Sequence, residues 1–533
     1  MEQAKYDTII VGGGIAGLTA AVYLARAGKN ILLVEKNEEF GGLVSSFERD
    51  GFLFEAGVRA LESAGIILPM LNDLDIHLDF VRSKVSIGIE NKIMNVEDLS
   101  SVQEYRNLLV SLYPESEEEI DKFIKSMRKI MKLLDVLYGI ENPLFKDLKR
   151  DRKYILQTLL PWLPKFLLTI RKINRLNLPF EKYLDNLIKN QSLKDIITQH
   201  FFKGTPAFFA LSYFSLYLDY FYPKGGVGKL ADALVEKIKE FNGGLLTKTS
   251  IKEIFPDKQY IIDDKQQKYY YEKLIWAADL KTFYNITDTN NLEAQTKENF
   301  KNQKESILKG KGSESVFSLY LEVDLPLSYF GNISHGHFFY TPSKKGLADI
   351  HRSELQKLLN NWREISQSEI YSWLDRFLTF NTYEISIPGL KDSNLVPENK
   401  TGIIVSFIVE FEFFRKLVES NWYSDFRKEI ENKIIKILSE SIYPNLKNKI
   451  DKQFSFTPVS LHDRIGSTDG AIVGWSFEEF VPVVHKIQRS DKSVLTPIPN
   501  VFQAGQWAYS PAGVPMAILT GKLASDRIIK ESR

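Results

Sequence analysis

The sequence predicts an α/β fold: a doubly wound, mainly parallel sheet, with further structure built beside it. Three observations predict it. Residues 6–36, YDTIIVGGGIAGLTAAVYLARAGKNILLVEK, read as strand, glycine turn, helix and strand. Residues 500–528, NVFQAGQWAYSPAGVPMAILTGKLASDRI, read as strand, glycine turn and helix at the far end of the chain. A length of 533 residues gives room for two or three domains with substantial cores.

In the opening unit, Tyr6–Val11 is an apolar run rich in β-branched residues, the signature of a buried strand. Gly12, Gly14 and Gly17 stand in G-x-G-x-x-G register. Gly12 permits the tight turn, Gly14 lets backbone approach a pyrophosphate, and Gly17 lets the helix pack close to the strand. Ile15–Ala27 has no proline and reads as a helix ended by Gly28. Its first residues, Ile15 and Ala16, offer free N–H groups to phosphate. Asn30–Val34 is the second strand, and Glu35 closes it, placed to accept hydrogen bonds from ribose hydroxyls and to repel a 2′-phosphate. This unit alone does not separate NAD from FAD.

Gly41-Gly42 makes a flexible turn, and Val44–Phe47 and Phe52–Phe54 read as the arms of a hairpin. Pro114 suits a helix start, and Glu115–Tyr138 has long helical periodicity. Pro161–Tyr183 mixes aromatic and aliphatic residues with Lys165, Arg171, Lys172 and Arg175. That pattern suits a helix lying among lipid headgroups, or an amphipathic helix packed on its own domain. Gly204–Lys229 is aromatic-rich, either core or the wall of an apolar tunnel. GGVGK within it lacks the first glycine and the hydroxyl of a phosphate loop, since Pro223 and Leu230 stand there. A helix is expected over Lys229–Phe241 and a strand over Leu246–Ile254. Tyr260–Tyr271 reads as a hairpin, Lys273–Asp279 as a buried strand, Asn290–Lys309 as helical, and Ser315–Val323 and His337–Tyr340 as strands. His335 and His337 would face one side of a strand, but no third ligand lies near, so no metal site is expected. Thr382–Phe407 holds two strands and Glu410–Ser441 a helical run. Val501–Ala504 is the closing strand, before a helix that begins near Pro515.

Three stretches together resemble the flavoproteins of the phytoene dehydrogenase, carotenoid isomerase and retinol saturase group, within the amine oxidase superfamily. They are GGGIAGLTAA with EKNEEFGG and FEAG, YPKGGVGKLADALVEKIKEFNGGLLTKTSIKEI with KLIWAAD, and the C-terminal AGQW…AGVP. ISIP followed by KTGIIVS adds to the likeness. The resemblance implies noncovalent FAD and a discontinuous FAD-binding Rossmann-like domain, with a substrate domain of antiparallel sheet and helical cap. It implies FAD-binding parts at 1–80, 221–300 and 451–533, a helical substrate or membrane-facing region at 81–220, and a substrate domain of sheet and helices at 301–450. Beyond the opening motif (Gly12, Gly14, Ile15, Ala16, Gly17, Glu35, Lys36), it assigns to the cofactor Gly41, Gly42 and Leu43, Gly57, Val58 and Arg59, and Ile251 and Ala278. From the C-terminal signature it adds Gly505, Gln506, Gly513, Val514 and Pro515. Leu43 stands where the family carries a basic residue; Arg59 either supplies that charge or makes a salt bridge at the surface or core edge. Gln506 stands in place of an acid. The weak candidates for acid–base work are Glu55 and Asp463 with its neighbour Arg464, the latter two expected on the substrate side of the flavin by analogy.

The expected chemistry is desaturation, saturation or cis–trans isomerisation of carbon–carbon bonds in a lipophilic isoprenoid or polyene. An amine oxidase and a lipid-binding protein with structural FAD stand as alternatives. The absence of cysteine removes disulfides, cysteine-ligated metals and a cysteinyl flavin. A formal net charge of +1 gives no electrostatic case for nucleic acid. Polar residues interrupt the N-terminus and no stretch is long enough to span a membrane, so a cytoplasmic protein is expected, with peripheral contact on the inner face of the membrane.

Overall fold

The computed structural model describes residues 5–478 and 480–532. Five parallel strands lie side by side in the order Gly244–Leu246, Ile31–Val34, Lys5–Val11, Lys268–Trp276 and Val501–Gln503. Counted along the chain this order is 3-2-1-4-5, the doubly wound arrangement whose switch point lies beside the first strand. The sheet therefore draws on three distant portions of sequence.

The first helix, Ile15–Arg26, is buried through Ala25, as its alanine- and leucine-rich sequence requires. It packs between the helices Lys229–Glu240 and Val514–Glu531. Gly17 makes this close docking possible: a Cβ there would lie 1.9 Å from the Gly12 carbonyl oxygen.

The expected strand Leu246–Ile254 is two strands. The chain turns at Lys248, which has φ +52°, and its N–H donates to the Asn37 carbonyl. Ile251–Phe255 then begins an antiparallel hairpin with Tyr260–Asp263. The expected hairpin and the KLIWAAD strand share one long strand, Lys268–Trp276. That strand stops before Asp279, which caps the helix Leu280–Ile286 by accepting from the Thr282 N–H at 2.9 Å.

A second seven-stranded sheet forms the wall facing the nucleotide domain. Its order is Ile450–Phe456, Ser315–Val323, Thr401–Val409, Tyr383–Ser386, His337–Thr341, Val85–Ile89 and Lys92–Val96. All its pairings are antiparallel except that of His337–Thr341 with Val85–Ile89. Its last two strands come from the stretch expected to be helical. Alternation along the central strands divides the two faces. Phe317, Leu319 and Leu321, with Ile403, Val405 and Phe407, pack under the helices Gln367–Phe380, Phe411–Glu419 and Tyr423–Ser441. Ser318, Tyr320 and Ser406 face the other way, toward the nucleotide domain.

The helices Ser101–Leu112, Glu117–Tyr138 and Gln191–Thr198 gather around Ala207–Asp219 with a core of their own. Leu160–Asn174 lies against Glu117–Tyr138, where Trp162 Nε1 donates to the Val136 carbonyl at 2.6 Å, and leaves most of its surface open. Only Thr169 and Ile170 of this helix are buried, while Leu156 in the preceding turn and Leu160, Leu163, Leu167 and Leu168 are exposed. Among the described residues, no helix is long and apolar enough to cross a membrane.

Candidate functional site

The carboxyl ends of the parallel strands open into a cavity of about 630 Å³. Val11 and Gly12, Val34 and Glu35, Ala277 and Ala278, and Ala504 and Gly505 line it, each just at or beyond a strand end. This is where an open α/β sheet receives its ligand. Gly12 has φ +108°, and a Cβ there would come within 2.6 Å of the Ala277 carbonyl oxygen. The turn can follow this path only as glycine. Glu35 is held by two backbone donors, Gly13 N–H at 2.7 Å and Asn37 N–H at 2.8 Å.

Two helix N-termini point into the same space. Gly14 precedes one helix and Gly513 the other, and neither helix has a side-chain cap. Both leave backbone N–H groups and the positive helix end free for an anionic or electron-rich ligand. An adenine dinucleotide fits this arrangement: glycine backbone at the turn, an acid at one end, and uncapped helix starts along the middle and far end. Of the residues the sequence assigns to the cofactor, all but Gly17 line the cavity: Gly12, Gly14, Ile15, Ala16, Glu35, Lys36, Gly41, Gly42, Leu43, Gly57, Val58, Arg59, Ile251, Ala278, Gly505, Gln506, Gly513, Val514 and Pro515. Gly17 lies behind the turn, where its role is in packing.

Other expectations are corrected. The Val58 N–H donates to the Leu43 carbonyl at 2.9 Å, so Arg59 comes close to Leu43 along the chain, but the Arg59 side chain is engaged elsewhere. Its guanidinium turns to the wall sheet and donates to Ser318 Oγ and Ser406 Oγ, both at 3.1 Å. The cation at the double-glycine turn is Arg464, which donates to Ser45 Oγ at 3.0 Å. Asp463 is at that same end, where its carbonyl accepts from Lys36 Nζ at 3.2 Å. The helix Pro458–Ile465 turns Leu461 and Ile465, four residues apart, into the cavity, so Asp463 and Arg464 fall on other faces. Neither side chain lines the cavity. Glu55 is fully buried behind the cavity wall and accepts from the Tyr222 hydroxyl. Burial raises its carboxyl above the ordinary range.

The far end of the cavity is lined by Phe209 and Tyr213, from the stretch read as core or tunnel wall, by His337, weighed only as a metal ligand, and by residues that sequence reasoning missed. His200, Phe201, Phe209 and Tyr213 come from the helical region, and Ser318, Ser406, Glu384 and His337 from the wall sheet. Ser318 and Ser406 had a faint signal: each is a small hydroxyl flanked by apolar residues in the middle of a strand. His337 Nε2 lies 3.0 Å from Glu384 Oε1, out of line for a hydrogen bond, and both ring nitrogens are buried without a partner. Burial lowers the imidazole. Burial would raise the Glu384 carboxyl, but His337, Arg59 and Lys391 bring it below its ordinary value. His335 pairs with Glu97 at 2.9 Å. Among the described residues, no group of three or more His, Asp or Glu side chains is placed to hold a metal ion.

Residues 10–74 match the model of the NAD(P)-binding Rossmann-like domain. The chain is 22% identical to an all-trans-retinol 13,14-reductase of Danio rerio, over 94% of this chain and 82% of that protein. It is 23% identical to prolycopene isomerase 1, chloroplastic, of an Oncidium hybrid cultivar, over 99% of this chain and 84% of that protein. Among solved structures, cyclohexylamine oxidase from Brevibacterium oxydans superposes with a TM-score of 0.59 at 12% identity, covering 99% of this chain and all of that one. That likeness speaks for the fold alone. Motifs, sheet order and relatives agree: the chain carries a dinucleotide-binding Rossmann-like unit and is similar over most of its length to a retinol reductase and a prolycopene isomerase.

Proposed function

We propose that the protein is an FAD-dependent enzyme that desaturates, saturates or isomerises carbon–carbon bonds of a lipophilic isoprenoid or polyene. One observation carries the reading: a single cavity runs from the glycine turn at Gly12 to the aromatic side chains Phe201, Phe209 and Tyr213. A dinucleotide at one end and a long apolar molecule at the other then meet in the middle. Held without a covalent bond, FAD supplies two-electron chemistry at carbon. The chain's residues do the rest. The backbone N–H groups at Ile15 and Val514 hold anionic or electron-rich parts of the cofactor. Glu35 accepts from ribose hydroxyls. The aromatic side chains orient the apolar chain and exclude water.

The alternation of exposed leucines over Leu156–Leu168 supports peripheral contact with a lipid surface. No acidic residue lies between Asp151 and Glu181, while Arg152, Lys153, Lys165, Arg171, Lys172 and Arg175 do. Such a helix lies flat among anionic headgroups and gives a lipid-dissolved substrate a route to the protein.

Anaerobic addition of a polyene or its saturated precursor to the flavin-loaded protein tests the reading. Bleaching by the precursor identifies a desaturase, and reoxidation of reduced flavin by the polyene a saturase. Change of double-bond geometry with no net redox change identifies an isomerase. No spectral or product change with any of them would sink the proposal, and peroxide release from amines would replace it with amine oxidation.

A further inference from the structure

One row of residues crosses the wall sheet and changes character partway. Direct cross-strand partners share a face, so Ser318, Ser406, Glu384, Phe339 and Ile87 form a continuous line over five strands. At ~4.8 Å per strand the row is roughly 19 Å long. Ser318, Ser406 and Glu384 line the main cavity. Phe339 and Ile87 line a second, small apolar chamber with Tyr105, Met127, Ala210 and Phe214. His200, Phe201 and Tyr213 border both spaces, so the two are neighbours along one path.

The polar half of the row is built, not incidental. His337 is 2% exposed, Arg59 6%, Ser318 4% and Ser406 2%. Arg59 is tied to the two serines, which lie 2.9 Å apart, Oγ to Oγ. Yet both His337 ring nitrogens have no hydrogen-bond partner, and Glu384 keeps its remaining exposure toward the cavity. A wholly apolar ligand would bury these groups and leave them unsatisfied, which is unfavourable.

We infer that the main cavity binds an oxygen-bearing end of the isoprenoid substrate, a hydroxyl in the first instance, against Glu384 and His337, while its hydrocarbon end enters the small chamber. The hydroxyl donates to the Glu384 carboxylate and accepts from the imidazole N–H of His337. A site that hydrogen-bonds a substrate hydroxyl discriminates against the analogue lacking it far better than an apolar pocket rejects an added hydroxyl. This rests on the isoprenoid reading above.

Equilibrium binding of geranylgeraniol and of the hydrocarbon made by removing its hydroxyl tests it in the flavin-loaded protein. Quenching of tryptophan fluorescence gives the readout, since Trp276 and Trp507 line the cavity. The wild type should favour the alcohol about ten- to a hundredfold, the range for a hydrogen bond to a charged group. Glu384→Gln and His337→Leu should each bring the preference below about threefold with hydrocarbon affinity unchanged. Ala210→Leu, which narrows the chamber, should weaken geranylgeraniol and spare the shorter geraniol. Equal affinity of the wild type for alcohol and hydrocarbon overturns the inference, as does a preference that survives in both wall variants. An alcohol preference without any redox or isomerisation chemistry would leave this inference standing and remove the enzymatic reading instead.

Discussion

A methyl group at Gly12 has nowhere to go. Its position already has φ +108°, and the Ala277 carbonyl oxygen sits 2.6 Å from where the carbon would be. Gly12→Ala is expected to lose about 1–3 kcal/mol from backbone strain alone. It should purify with little flavin, read as the ratio of visible to ultraviolet absorbance. Tyr222→Phe acts elsewhere. It removes the donor to a carboxyl whose other oxygen, Glu55 Oε2, already has no partner. The expected loss is about 1–3 kcal/mol in chemical denaturation. Glu62 gives the pH dependence. Burial, with Asp219 adding to it, raises its carboxyl from 4.5 to about 7. The folded protein thus holds this proton more tightly than the unfolded chain. The group's stabilisation is complete below about pH 4.5 and is lost as pH climbs toward about 7. Glu62→Gln should flatten the fall of the thermal midpoint over that window; an unchanged slope would assign it to other groups.

At the level of elements, the leucine stripe preceding and within Leu160–Asn174 invites the sharpest test. Leu160 and Leu167 are more than half exposed, at 52% and 51%. Burying a leucine fully stabilises by about 1.5–3 kcal/mol, so partial insertion of two accounts for at least ~10-fold in partitioning. Leu160→Glu with Leu167→Glu should abolish co-sedimentation with anionic vesicles and leave flavin content intact; retained co-sedimentation would exclude this face. Legibility in sequence also divides by element. The first strand–turn–helix–strand unit could be read because its spacing is local, and Gly17 is a glycine because of Gly12 five residues before it; the Ala277 carbonyl that Gly12 meets was out of reach of sequence. The wall sheet could not. His337, Glu384, Ser318 and Ser406 stand on four strands, and their common face depends on register. Asp463 and Arg464 were misplaced for a related reason, since helical phase decided which side of Pro458–Ile465 met the cavity. The break at Lys248 was hidden because LLTKTSIKEI keeps strand-like composition through the turn.

For the whole molecule, the cavity lies between the nucleotide sheet and the wall sheet, which also meet through Phe52 and Phe54 against Tyr320 and through Arg59. A tightly bound cofactor stabilises by RT ln(1 + [L]/Kd), about 2.7 kcal/mol at a hundredfold excess over Kd. Removing flavin should therefore lower the thermal midpoint and open cleavage sites on both walls, read by limited proteolysis with mass spectrometry. Cleavage confined to the nucleotide half would show that the wall sheet is stable alone. Deleting residues 501–533 removes a sheet strand and a helix against the first helix. That truncation should give insoluble protein, since the N-terminal unit then lacks its partner.

The sheet order has a further consequence during synthesis. Lys5–Val11 leaves the ribosome long before Val501–Gln503, the strand completing its parallel sheet. At ~5–20 residues per second, the interval is about 25–100 s. Throughout it the first helix has an uncovered apolar face and the nascent sheet an open edge. Slowing translation should therefore lower the soluble yield, and supplying a chaperone that shields apolar segments should restore it.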